Sequence, residues 1–139
     1  MKIGIIGAMA QEVAVLKENL ADMQTWEKAG ATFYSGTYAG HEVIVVQSGI
    51  GKVLSSLTTS LLIQQYEVDA VINTGSAGGI GADLAVGDLV VSEKLAYHDV
   101  DATGFGYAYG QVPGGMPLYY EADAQLIQAI ESAAEKTNH

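Results

Sequence analysis

The segment from Ala70 to Ile80, AVINTGSAGGI, constrains the fold of this chain more than any other stretch. It begins with a short apolar run typical of a buried strand and continues into six small, uncharged residues, Thr74 to Gly79. In open α/β sheets, ligands bind just outside the carboxyl ends of strands, and glycine lets the backbone approach them closely. The segment therefore predicts a strand that ends in a ligand-binding loop. A tight turn without a ligand needs the same residue types, so this alternative stays open here.

Strand and helix patterns alternate along the rest of the chain, as in an α/β protein. We predict strands over residues 2–7, 31–38, 41–47, 69–74 and 88–95, of which 31–38 and 41–47 form a hairpin around Ala39 and Gly40. Apolar residues at helical spacing predict helices over residues 10–23, 52–66 and 122–136. Residues 96–117 form a long loop rich in glycine and aromatic residues, and such loops are commonly functional. Trp26 is expected to pack locally after the first helix.

Composition limits what the chain can bind. Its 139 residues are 49% hydrophobic and 16% charged, which is typical of one globular domain. Six lysines, no arginine and 16 carboxylates give a formal net charge of -10, which repels nucleic acid and anionic membranes, so we expect neither as a partner. The chain has no cysteine, and no apolar run is long enough for a signal peptide or a membrane span. We therefore predict a cytoplasmic protein.

Three junctions between a strand and a loop carry candidate site residues. After the first strand, Glu12 falls in the first turn of a helix, where a carboxylate can act in catalysis or simply interact with the helix dipole. The second junction, QSGIGK, resembles a phosphate-binding P-loop only superficially, since Val46 and Val53 replace its required Gly and Ser/Thr. It is better explained as a glycine turn with Ile50 as a possible apolar lining residue. The third junction is the loop after residue 73, which lacks dinucleotide-binding glycine spacing.

Taken together, these junctions carry a resemblance to a known family. The stretches MKIGIIGAMAQEV, SGIGKV, INTGSAGG, VGDLVVS and YHDVDATGFGYAYGQVPG are similar, in this order, to methylthioadenosine/S-adenosylhomocysteine nucleosidases, members of the purine nucleoside phosphorylase superfamily. The resemblance implies an α/β fold, a three-layer α/β/α arrangement with a central mixed sheet. It also implies that residues 1–139 are the N-terminal part of a single domain. In the family, further strands carry a Met-Glu pair that holds the ribose and an Asp that assists the departing adenine.

This resemblance implies hydrolysis of the N-glycosidic bond of methylthioadenosine and S-adenosylhomocysteine, a step of methionine salvage that needs no cofactor. The residue that matches Glu12 holds and activates the water, and the one that matches Ser76 helps to position it. Ala77 and Gly78 match residues that line the nucleoside site through their backbone. Met9 and Ile50 match residues that pack near the ribose.

The long loop is expected to take part in assembly. Family residues that match Phe105 and Pro113 reach into the neighbouring subunit of a dimer, where they close the apolar pocket for the thioether tail. We therefore expect a homodimer with a shared active site. A surface loop whose aromatic side chains form only a local cluster is the alternative.

Charge favours hydrolysis over phosphorolysis, the other reaction of the superfamily. A phosphate nucleophile is held by arginine or lysine through charge-assisted hydrogen bonds. This chain has no arginine, and Glu12 would repel phosphate but suits neutral water. An arginine from outside this chain would weaken the argument.

Other functions stay open. The chain could act on another purine nucleoside such as futalosine, or be a truncated fragment that binds or dimerises without catalysis. His98, Asp99 and Asp101 resemble a metal site, but one His and two Asp within four residues is a weak signal, and we predict no metal. His41 is expected to be solvated beside the hairpin turn, and His139 is terminal.

Overall fold

A computed structural model describes residues 1–137 of the chain, so His139 lies outside the described residues. The chain divides into two compact units, Met1–Gly78 and a second that begins at Gly79. None of the helices in residues 1–137 is both long enough and apolar enough to cross a membrane.

The first unit is built on one five-stranded sheet. Its elements are β1 (Lys2–Gly7), α1 (Ala10–Glu18), β2 (Ala21–Lys28), β3 (Ala31–Tyr38), β4 (His41–Gln47), α2 (Lys52–Gln64) and β5 (Ala70–Asn73). The strand order is β2-β3-β4-β1-β5. β1 pairs in parallel with β4 and β5, whereas β2, β3 and β4 are antiparallel neighbours. The sheet is therefore mixed, and the carboxyl ends of its three parallel strands lie at one edge.

Alternation along β4 creates the two cores of this unit. Val43 and Val45 pack on one face with Val13 of α1, and all three side chains are buried. Ile44 and Val46 point to the opposite face and pack in a second buried cluster that includes a leucine of α2. A strand buried on both faces is a continuous run of branched apolar residues, as observed here. These contacts place one helix on each face of the sheet, which confirms the predicted three-layer α/β/α fold with a mixed sheet.

The first predicted helix, 10–23, is confirmed to residue 18 and wrong beyond it, because α1 ends at Glu18 and residues 21–28 form β2. Leu20 and Met23 continue the apolar spacing of the helix, and this concealed the strand. Ala29 and Gly30 connect β2 to β3 with φ angles of 49° and 75°. A two-residue turn with both φ values positive matches the twist of a hairpin, and this turn pairs β2 with β3.

Trp26 was expected to pack locally, and this prediction is also wrong. The residue lies on β2, and its ring centroid is 6.4 Å from that of Tyr66, which follows α2. Tyr66 in turn stacks on Phe33 of β3 at 5.1 Å. Burial raises the pKa of Tyr66 above its ordinary value. The three rings join the sheet to the end of α2.

The hairpin predicted over 31–38 and 41–47 is confirmed with these bounds. Its turn residues Ala39 and Gly40 have φ angles of 49° and 80°, the same geometry as the turn before β3. His41 is exposed beside that turn, as expected. The predicted second helix and the predicted strand after it are confirmed with slightly shorter bounds.

The second unit contains a two-stranded antiparallel sheet, β6 (Lys94–Leu95) with β7 (Tyr120–Glu121), followed by α3 (Ala124–Lys136). The predicted strand 88–95 is wrong except for its last two residues. A strand needs a partner for its backbone groups, and only β6 finds one, in β7. The predicted final helix is confirmed but begins at Ala124, because the carboxylate of Asp123 accepts hydrogen bonds from two backbone N–H groups of its first turn.

The loop 96–117 is held by its own hydrogen bonds. The hydroxyl of Tyr109 donates to the carbonyl of His98 at 2.8 Å, and the N–H of Gly110 donates to the carbonyl of Val100 at 2.7 Å. Phe105 ends a single 3-10 turn in this loop, and 86% of the residue is exposed. At that exposure the apolar ring gains little hydrophobic stabilisation from the described residues.

Candidate functional site

Three loops meet where the parallel strands end. The N–H groups of Ser48, Gly49 and Thr74 donate to the carbonyls of Gly7, Ala8 and Ile6, at 2.9, 3.1 and 2.9 Å. These bonds extend the pairing of β1 with β4 and β5 by one or two residues beyond the sheet. The loops that carry Met9, Ile50 and Ser76 are consequently fixed to a common edge.

Ser48 contributes to this edge and was not singled out from the sequence. It is buried, and its hydroxyl donates to the carbonyl of Gly49 at 2.8 Å. This hydrogen bond fixes the turn that leads into α2. The only sequence signal was its place between the end of a strand and a glycine turn.

Glu12 lies at the centre of this edge. Its backbone is in the first turn of α1, and its Oε2 accepts a hydrogen bond of 2.9 Å from the backbone N–H of Met9, the N-cap residue. This is the glutamate half of a capping box. Its Oε1 accepts two hydrogen bonds from Ser76, one of 3.2 Å from the backbone N–H and one of 3.3 Å from the hydroxyl. Glu12 therefore links the loop after β1 to the loop after β5.

These hydrogen bonds set the protonation state of Glu12. The backbone N–H of Met9, followed by that of Ser76, lowers the pKa of the Glu12 carboxyl below the ordinary value of 4.5. Each donor stabilises the ionised form, because an N–H group binds a carboxylate more strongly than a carboxylic acid. The carboxyl group therefore stays ionised to a lower pH than an ordinary glutamate, and at neutral pH it is able to accept a proton.

The other candidate residues of the first unit lie on the three loops of the same edge. Met9 is half-buried at the start of α1, whereas Ile50 is 75% exposed on the turn before α2. Ala77 and Gly78 are exposed immediately after Ser76. A Cβ atom on Gly78 would meet nothing within 4 Å, so this part of the loop borders open space. An exposed apolar side chain and an exposed backbone stretch thus lie on loops anchored to the same edge as the loop that carries Glu12.

Phe105 and Pro113 belong to the second unit, where both are exposed on the loop 96–117. Within residues 1–137, no group of three metal-ligating side chains is arranged to hold a metal ion. Asp101 instead accepts hydrogen bonds of 2.6 and 3.1 Å from the hydroxyl and N–H of Thr103, which lower its pKa.

The phosphorylase superfamily matches residues 2–139, and the chain therefore belongs to this superfamily. Curated relatives are similar over nearly the whole chain. A 5'-methylthioadenosine/S-adenosylhomocysteine nucleosidase of Anoxybacillus flavithermus is 53% identical over 134 residues, which cover 96% of this chain and 57% of that protein. One of Colwellia psychrerythraea is 52% identical over 136 residues, 98% of this chain and 56% of that protein. The resemblance drawn from the sequence motifs is thereby confirmed.

Solved structures give the same result for the fold. The S-adenosylhomocysteine nucleosidase of Streptococcus pyogenes, in complex with 5-methylthiotubericidin, superposes with a TM-score of 0.95 at 47% identity. The alignment covers 100% of this chain and 58% of that one. The nucleosidase of Colwellia psychrerythraea, in complex with adenine, gives 0.94 at 52% identity over 97% of this chain and 55% of that one. The chain spans little more than half the length of the relatives it matches.

Proposed function

We propose that the protein contributes the water-activating side of a nucleosidase site, which hydrolyses the N-glycosidic bond of methylthioadenosine and S-adenosylhomocysteine. The observation that carries this proposal is the ionised carboxylate of Glu12, held by Met9 and Ser76 at the carboxyl edge of a superfamily fold. We further propose that the products are adenine and the thioribose and that the reaction serves methionine salvage in the cytoplasm.

The chemistry required at the ribose agrees with this carboxylate. As the bond from the anomeric carbon to adenine breaks, its electron pair leaves with the base and the sugar becomes oxocarbenium-like. A water then forms the new C–O bond, and its proton passes to Glu12. Water bound to a cationic sugar is acidic, so a carboxylate with a lowered pKa is a sufficient base. In the family that the chain resembles, an Asp further along the sequence assists the departing adenine by supplying a proton.

Ser76, Met9, Ile50, Ala77 and Gly78 are proposed to complete this part of the site. The two hydrogen bonds from Ser76 to Oε1 fix the direction of the Glu12 carboxylate and thereby the position of the water. Exposed Ile50 offers an apolar surface for the ribose. The open backbone at Gly78 leaves room for the nucleoside.

Adenine release from methylthioadenosine tests the function. Two proteins are assayed: the 139-residue chain, and a chimera in which it replaces the matched 134 residues of the Anoxybacillus flavithermus relative. We expect the chimera to release adenine without phosphate and at a rate that added phosphate does not raise. An inactive chimera beside an active relative would contradict the proposal, and phosphate-dependent release would indicate phosphorolysis. Futalosine in place of methylthioadenosine tests the alternative substrate, and the chain assayed alone tests whether it is only a fragment of the catalyst.

We further propose a homodimer in which Phe105 and Pro113 close the thioether pocket of the partner copy. Two apolar surfaces support assembly: the ring of Phe105, and an exposed stripe on α2 formed by Val53, Leu54 and Leu57. Contacts with a second copy would remove each of these surfaces from water, as in closed two-fold dimers.

Phe105→Ala is expected to weaken the affinity for substrates with long thioether tails more than the affinity for adenine. The loss should be about 1.5–3 kcal/mol, the usual contribution of burying an apolar side chain of this size. Val86→Ala, which shortens a fully exposed side chain outside the loop 96–117, is the control. Sedimentation at low micromolar concentration measures assembly alongside the kinetics. A monomer of the active form with full activity would contradict the shared site.

A further inference from the structure

Two glycines flank the side chain of Glu12. Gly7 is the last residue of β1, and Gly75 lies two residues beyond β5. A Cβ atom added to Gly75 would stand 3.0 Å from Oε1 of Glu12, 3.3 Å from Cδ and 3.5 Å from Oε2. The first two separations are closer than ordinary van der Waals contacts, so any side chain at this position would displace the carboxylate.

Backbone geometry does not account for glycine at position 75. Its φ angle is outside the positive range that L-residues avoid, so alanine could adopt the same conformation. The three nearest atoms to the added Cβ all belong to the Glu12 carboxyl group. What glycine provides here is therefore room for that carboxylate.

Gly7 differs from Gly75, because a Cβ atom added to Gly7 would also contact the core. A Cβ atom there would lie 2.7 Å from Cγ1 of Val13, in the core, and 3.2 Å from Cβ of Glu12. A side chain at Gly7 would disturb the packing of α1 on the sheet as well as the site. At Gly75 the three nearest atoms belong to the carboxyl group itself.

We propose that Gly75 is a positioning residue for Glu12, whose carboxylate lies against its bare Cα and is thereby directed toward Ser76. The inference rests on the proposed role of Glu12 as the water-activating base. The bonds from Ser76 to Oε1, at 3.2 and 3.3 Å, are already long, so a shift of a few tenths of an ångström would break them. The shorter bond from Met9 to Oε2, on the other oxygen, would survive.

The test compares Gly75→Ala with Gly81→Ala. Gly81 is a matched control, since a Cβ there makes only ordinary contacts with Leu84 and its φ is also outside the positive range. The first measurement is a carbon-13 NMR titration of the Glu12 carboxyl in the 139-residue chain, which needs no catalysis. Gly75→Ala should raise the pKa of Glu12, because the ionised form loses its donors on Ser76, and Gly81→Ala should leave it unchanged. An unchanged titration in a folded Gly75→Ala variant overturns the inference.

The second measurement is kinetic, in the form that releases adenine. Gly75→Ala should lower kcat about tenfold or more with little change in KM, since a misplacement of about 1 Å can cost roughly a hundredfold. In a Glu12→Gln background the same substitution should cause no further loss. A loss that simply adds to that of Glu12→Gln would mean that Gly75 acts through something else. If Glu12→Gln itself keeps full turnover, the proposed function fails. The titration would still show whether Gly75 positions the Glu12 carboxylate.

A folding failure is also informative. If Gly75→Ala does not fold, Glu12→Asp is added to it, because the shorter side chain withdraws the carboxylate from position 75. Recovery of the far-ultraviolet circular dichroism spectrum in the double variant supports the crowding of Glu12. Continued misfolding places the clash elsewhere and overturns the inference.

Discussion

Glu12→Gln is expected to lower adenine release by roughly two to four orders of magnitude, the usual contribution of a general acid or base. Glutamine keeps the size of the side chain and one acceptor oxygen for the N–H of Met9. It cannot accept the proton of the attacking water, and its amide nitrogen cannot accept the hydrogen bonds from Ser76. The affinity for adenine should change little, because binding of the adenine ring does not require a proton acceptor at position 12.

Glu18→Gln is the matched control for this substitution. It makes the same chemical change at the exposed last residue of α1. Its adenine release should equal that of the unaltered protein in the same assay, which is single-turnover release monitored by chromatography. Near-normal release by Glu12→Gln, with the fold intact by circular dichroism, would remove Glu12 from the mechanism.

The pH profile provides a second readout of the same substitution. The hydrogen bonds from Met9 and Ser76 lower the pKa of Glu12 in the folded state, whereas the unfolded chain has the ordinary value of 4.5. The contribution of ionised Glu12 to the stability of the folded state is therefore fully present above pH 4.5. It is lost as the pH falls through the pKa of Glu12 in the folded state. The acid limb of kcat/KM that reports Glu12 should lie below pH 4.5 and be absent in Glu12→Gln. A limb above that value would assign the base to another group.

Much of the fold could be predicted because its apolar patterns are strong. Residues 41–47 carry four consecutive branched apolar side chains, which are typical of a strand buried on both faces. β2 was missed because all eight of its residues are exposed, so the strand has no apolar alternation to reveal it. Its existence depends on antiparallel pairing with β3 across the turn at Ala29 and Gly30, and apolar spacing does not encode this pairing.

For the candidate site, too, one part could be predicted from the sequence and another could not. The approach of Glu12 to Ser76, 64 residues apart, follows from a general property of parallel strands, whose carboxyl ends share an edge. Gly75 could not be selected, because several glycines and alanines stand in its loop and composition does not say which one faces a particular side chain. That choice depends on distances of a few ångströms between two loops.

Phe33→Ala is expected to destabilise the first unit by about 3–5 kcal/mol, the range observed for deleting a buried phenylalanine ring. Phe33 is fully buried in the core on the α2 face of the sheet. Its ring also stacks on Tyr66, and such pairs add about 0.5–1.5 kcal/mol beyond burial. A domain of this size has a free energy of unfolding of only about 5–15 kcal/mol, so the variant should approach the unfolding threshold.

Urea denaturation followed by circular dichroism measures this loss, with two variants that separate its causes. Thr37→Ala, at an exposed position of the same strand, should change the free energy of unfolding by less than about 0.5 kcal/mol. Phe33→Leu keeps most of the apolar volume but removes the stacked ring, so it should cost about 1–2 kcal/mol. If Phe33→Ala unfolds at the same urea concentration as Thr37→Ala, this ring does not hold the sheet to α2. An intermediate value for Phe33→Leu would show that volume and ring stacking both contribute to that contact.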